Sequence, residues 1–250
     1  MTMENTATLA AAVLFMAIFL FGGKLHKPAW IRQHHRKALS LGAGVSVAYV
    51  FIHLLPELEA AREVFIRITE HRNLPFPEYR VYLSALIGFI LFYGLDHMVV
   101  WSRKASEKRL QKEEGGSPVF WLHIGGLAVY VWLVSYLMVR NIEEEVVPIG
   151  LYAVAMGFHF LLLEHSLRHE HVSLFDRAGK YVLAIAPLTG WIMGILTDLP
   201  KPMVITLLGF ISGAVIMNTL IMELPKEKEG KFWPFLAGGI LYAAILIRLG

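Results

Sequence analysis

The side chains able to do chemistry in this chain are histidines and carboxylates set inside apolar stretches. His53 and Glu57 are four residues apart near the end of GVSVAYVFIHLLPE, residues 44 to 57. On a helix that spacing shares one face, so an imidazole and a carboxylate could collect a divalent cation at an entrance. His123, His159 and Glu164 lie in two further apolar runs and form a second candidate ligand set. Glu164 is about 140° from His159 around a helix, so the two converge only if the helix bends. Asp96 and His97 are adjacent in LDHMVVW and form a possible second polar pair. An aspartate near an imidazole tunes its basicity or relays protons, although neighbouring residues point about 100° apart.

Burying an ionisable group among apolar residues is costly, which makes each of these a functional candidate. Each also has a structural reading. His123 and His159 could be neutral histidines hydrogen-bonded between helices, as could Asn218. Glu164 could pair with Arg168 one turn on, and His53 with Glu57 could be an ordinary interfacial helix end. His34, His35, His165, His169 and His171 fall in or beside basic loops. There they bind a metal ion or face an anionic membrane surface. No cysteine is present, so disulfides and thiolate ligands are excluded. No HExxH motif, nucleophilic serine setting or catalytic aspartate pair occurs, and the expectation is that the chain is not an enzyme.

These residues must be positioned by membrane helices. Of 250 residues 56% are hydrophobic and only 17% charged, against roughly a quarter charged in soluble domains. About 20 apolar residues cross a bilayer. Eight such stretches are expected at about 7–23, 38–56, 81–101, 118–139, 149–167, 179–197, 203–224 and 232–249, in a single transmembrane domain. The second continues into ELEAAREVFIRITEHR, an amphipathic extension expected at the water interface, and the sixth contains Pro187 and Gly190, which predict a kink. Sixteen of the 23 Lys and Arg fall in alternate loops, at 24–37, 103–112, 168–180 and 226–231, while Glu143, Glu144 and Glu145 fall on the other side. The positive-inside rule then puts both termini outside. The basic balance follows from this topology, and no nucleic-acid partner is implied. Tryptophans 30, 101, 121, 191 and 233 sit near span ends, as an aromatic belt requires.

The stretch from Gly44 has a counterpart in GAVIMNTLIMELPK, residues 213 to 226. Gly44 falls on Gly213, Leu55 on Leu224 and Pro56 on Pro225 without a gap. Residues 88–92, GFILF, likewise match 238–242, GGILY. Spans one to three and six to eight therefore read as inverted halves around spans four and five.

On His53-Leu54-Leu55-Pro56-Glu57, and on Glu223-Leu224-Pro225 after a glycine-containing helix, the chain resembles the ZIP family of zinc and iron permeases. The resemblance implies an all-α membrane protein of eight transmembrane helices in a 3+2+3 inverted-repeat bundle. It implies a location in the plasma membrane, of the bacterial inner-membrane type. It also implies helices four and five lining a metal pathway, with a zinc-type divalent cation as substrate. The implied partners are the lipid bilayer, the metal ion and a second copy of the chain as a homodimer. The family's helix four carries a His-Asn-x-x-Asp-Gly type motif, and its helix five a His-Glu-x-Pro-His-Glu type motif. Here Ile124 and Leu127 follow His123, and Phe160, Leu162 and Leu163 separate His159 from Glu164. The usual two-metal site cannot be built from these positions. At most one ion is held, by His123, His159 and Glu164. The expectation is a metal-ion transporter of this fold. The alternative is a non-transporting member serving as metal sensor or scaffold, favoured by the apolar replacements.

Overall fold

The computed structural model describes residues 3–25, 29–72, 74–108, 118–141, 146–170, 174–223 and 231–249. The described residues are helical, without strands, and eight helices are long and apolar enough to cross a membrane. They run Met3–Gly23, Arg36–Thr69, Pro77–Ser102, Pro118–Arg140, Ile149–Arg168, Phe175–Leu196, Lys201–Ile221 and Phe232–Leu249. These are the first to eighth spans below. Their number and order agree with the hydropathy reading.

The second span departs from it. Pro56 does not end the helix. The backbone widens into a π-turn over Val50–Leu54, where the amide of Leu55 donates to the carbonyl of Val50, and the helix then continues from Leu55 to Thr69. Proline brings no amide and crowds the carbonyl four residues back, so an α-helix would kink or break there. A wider turn just before it re-registers the hydrogen bonds, and π-turns of this kind recur at functional sites. The extension buries Leu58, Ala61, Phe65 and Thr69 at three- and four-residue intervals, and this face packs on the third and seventh spans. The charges of Glu59 and Arg62 pair with each other on the remaining surface, and Tyr82 of the third span donates to Glu59.

The seventh span widens in the same way over Asn218–Glu223, at the matching place in the repeated stretch. Pro225 and the rest of residues 224–230 lie outside the described residues, as do Glu143 to Glu145, His171 and residues 109–117, which include the end of the basic loop at 103–112.

Glycines set which spans touch. A methyl group at Gly44 would overlap the carbonyl of Phe235 and crowd the amide of Gly239 in the eighth span. At Gly213 it would meet the carbonyl of Ala85 and the amide of Phe89 in the third. Phe235 and Gly239 correspond to Ala85 and Phe89 in the match between 238–242 and 88–92. The second span therefore grips the eighth as the seventh grips the third. Such close backbone approach is what small residues supply where lipid gives no hydrophobic drive for helix association.

The fourth span packs along the sixth, and the first along the fifth and sixth. The second span lies on the fifth, and the seventh on the fourth. This leaves the fourth and fifth spans in the middle of the bundle. Pro187 is buried inside an unbroken helix, Lys180–Leu196, preceded by a third π-turn over Phe175–Gly179. Trp191 departs from the belt reading. Its indole N–H donates to Thr8 Oγ1 of the first span at 3.1 Å, so it ties two helices together.

Candidate functional site

A cavity of about 1010 Å³ opens between the second, fourth, fifth, seventh and eighth spans. Tyr49, His53 and Glu57 line it from the second span. Their four-residue spacing puts all three on one helix face, and the π-turn falls between the first and the last of them. His53 Nε2 is 3.7 Å from Glu57 Oε2, and both side chains are partly exposed. The Tyr49 ring lies 5.3 Å from the His53 ring and 6.2 Å from that of Tyr152 on the fifth span. Tyr152 is itself anchored, donating to the carbonyl of Val134 at 3.3 Å. Arg140 of the fourth span, Asp198 of the connection between the sixth and seventh, and Lys201 at the start of the seventh also line the cavity, and Arg140 and Asp198 form an ion pair.

His159 does not line this cavity. It is 1% exposed, and its Nε2 is hydrogen-bonded to the Tyr130 hydroxyl at 2.6 Å. Around them stand aromatic rings. Phe160 lies 5.0 Å from Phe15 and 5.5 Å from Phe19 of the first span, and Phe92 of the third lies 5.3 Å from Tyr130. A histidine hydrogen-bonded to a tyrosine of the neighbouring span within such a cluster matches the helix–helix reading of this residue. Tyr130 was not singled out by sequence. It stands seven residues, two helical turns, beyond His123 on the same face, and that period is the signal that marks it.

His123 is also buried, beside Ile124 in the fourth span. Seven residues correspond to about 10 Å of helix, so His123 is a different level of the bundle from the Tyr130–His159 pair. Glu164 is fully buried, and Arg168 Nε donates to its Oε1 at 2.8 Å. Arg168 also pairs with Asp176, which lies 3.7 Å from Lys180 Nζ, and its guanidinium sits 5.3 Å above the Phe175 ring. Gly22 and Gly23 of the first span make room for this pair. The Glu164 carboxylate occupies the place of a side chain at Gly22, and the Arg168 guanidinium that at Gly23.

Asp96 is half-buried, while His97 is exposed and stacks on Tyr93 one turn earlier, with centroids 6.1 Å apart. Asn218 is buried at the start of the second repeat's π-turn, with its Nδ2 lacking a hydrogen-bond partner. Among the described residues no group of three histidine, aspartate or glutamate side chains converges to hold a metal ion. His53 and Glu57 are therefore the two sequence-predicted ligands that do meet in open space, whereas His159 meets a tyrosine and Glu164 an arginine.

No family model matches the chain, and no curated protein matches it.

Proposed function

We propose that this is an integral membrane protein of ZIP-like fold that senses a divalent, zinc-type cation rather than carrying it, with His53 and Glu57 as the contact residues. Both termini are outside the plasma membrane in this reading, and the cavity opens outward. The observation that carries it is the Tyr130–His159 hydrogen bond inside the Phe15, Phe19, Phe92 and Phe160 cluster. A divalent ion must exchange a tightly held hydration shell for several oxygen or nitrogen ligands. Between the middle spans it would meet aromatic rings, and the Glu164 carboxylate is engaged by Arg168. At His53 and Glu57 the ion can keep most of its water and still gain one nitrogen and one oxygen ligand.

The cavity itself favours a second reading, transport. A recess of that size leading to His53 and Glu57 is what an outward-facing carrier presents before one helix bundle rocks against another. Proteoliposomes separate the two. Sensing predicts saturable zinc binding, weakened at least tenfold by Glu57→Gln, without zinc accumulation above protein-free vesicles. Zinc uptake that His159→Ala abolishes would establish transport instead. Absence of zinc binding in the wild type would remove both readings.

A further inference from the structure

The cavity is larger and more apolar than a cation site requires. A dication with six waters takes up roughly 180 Å³ at about 30 Å³ per water, a small part of the 1010 Å³ available. The volume matches the upper end of pockets for organic ligands, about 300–1,000 Å³. Its walls include Met156, Leu208, Ile211, Val215 and Leu246. Two polar side chains beside this apolar wall, Ser212 and Tyr152, are turned to the backbone. Ser212 Oγ donates to the carbonyl of Leu208 at 2.8 Å and Tyr152 to that of Val134. That stretch of wall therefore offers water few bonding partners and suits an apolar chain, while the charged residues keep the rest of the cavity wet.

Cationic groups flank this apolar wall. Lys201 is exposed at the start of the seventh span. Arg140 ends the fourth, with one guanidinium nitrogen on Asp198 and a buried Nε that has no hydrogen-bond partner. A guanidinium presents donors in a planar fork that fits carboxylate and phosphate oxygens. Among the described residues these two cations share the cavity with two carboxylates, Asp198, which Arg140 engages, and Glu57, which lies 3.7 Å from His53.

We propose that the cavity binds a single-chain amphiphile with an anionic head, the head on Arg140 and Lys201 and the chain against Met156, Leu208, Ile211 and Val215. This stands apart from cation binding at His53 and Glu57 and uses different residues. The shared ligand chemistry is an apolar chain ending in a carboxylate or a phosphate.

The test uses the full chain in nanodiscs of zwitterionic lipid. A diazirine-bearing fatty acid is cross-linked and competed with oleate, lysophosphatidic acid or neutral monoolein. Saturable labelling of peptides containing Met156 or Val215 is expected, displaced by oleate, by lysophosphatidic acid or by both. Displacement by one alone assigns the head as carboxylate or phosphate. Lys201→Gln and Arg140→Gln should each weaken competition about tenfold, and Val215→Trp should abolish labelling by filling the cavity. Lys201 is exposed, so its variant reads the head contact without disturbing the bundle. Equal competition by monoolein, labelling indifferent to all three variants, or labelling spread over the outer faces of the third and eighth spans would overturn the proposal. Zinc binding that survives Arg140→Gln keeps this outcome separate from that of the cation site.

Discussion

The hydroxyl of Tyr130 and Nε2 of His159 lie 2.6 Å apart, joining the two central spans at one buried point. Both residues are essentially inaccessible to solvent. In such surroundings a made hydrogen bond contributes modestly, whereas an unmade one is expensive. The pair thus fixes the register of the fourth span against the fifth.

Removing both partners should therefore cost less than the two single losses added together. Tyr130→Phe leaves a ring nitrogen of His159 without that hydrogen bond and is expected to destabilise the protein by about 1–3 kcal/mol. His159→Leu alone removes the imidazole partner of the tyrosine hydroxyl at a similar cost. The double variant should lose less than the sum, because no polar atom of the pair remains. Thermal unfolding in detergent, read as a double-mutant cycle, measures the coupling. Additive losses would mean that the hydrogen bond contributes nothing.

The Glu164–Arg168 pair follows the same logic with charge. Glu164 is fully buried and Arg168 partly exposed. Arg168→Met removes the cation paired with a buried carboxylate and is expected to cost about 3 kcal/mol, toward the lower end for a broken buried pair because one partner reaches solvent. Adding Glu164→Gln should restore much of the loss. Gly22→Ala should reproduce part of the defect, since a methyl group there displaces the carboxylate. Lack of recovery in the double variant would show that Arg168 acts through its contact with Asp176 or Phe175.

The glycine contacts give matched substitutions. Gly44→Ala and Gly213→Ala each force a methyl group into a neighbouring backbone carbonyl. Overpacking of this sort costs about 1–3 kcal/mol, more where backbone must move. Gly94 on the third span and Gly150 on the fifth have open space around the same position, and alanine there should be neutral or stabilising by up to about 1 kcal/mol. Melting temperatures of the four single variants decide the matter. Equal behaviour of Gly44→Ala and Gly94→Ala would discard the close-approach account.

The span count was legible because eight blocks of apolar residues have few soluble explanations. The glycine-to-proline stretch also carried more than a boundary, since Gly44 and Gly213 mark places where two helix backbones meet closely. What Pro56 does was not legible. A missing amide predicts a stop or a bend, and the chain instead widens one turn before it and continues, which depends on the third and seventh spans covering Leu58, Ala61 and Phe65. At the site, periodicity identified His53 with Glu57, and the same period extends to Tyr49. It could not reveal that Tyr130 reaches His159 or that Asp198 reaches Arg140, because those pairs are 29 and 58 residues apart and meet only through packing. Glu164 was readable both ways from sequence, and Arg168 one turn on is the partner that the fold supplies.

Because the chain contains no cysteine, its orientation can be read with single introduced thiols. Glu78, at the start of the third span, and Arg177, at the start of the sixth, are both exposed. By the positive-inside rule, sixteen of 23 basic residues in alternate loops predict the Glu78 connection outside and the Arg177 connection inside. Glu78→Cys should react with a membrane-impermeant maleimide in intact cells, and Arg177→Cys only after permeabilisation. The reverse pattern would place the cavity on the cytoplasmic side, because Asp198 and Lys201 lie one span beyond Arg177 and hence on the same side as Glu78. A sensor of external zinc would then be ruled out even if His53 and Glu57 bind the ion. Labelling of both thiols in intact cells would mean that a span between them does not cross the membrane.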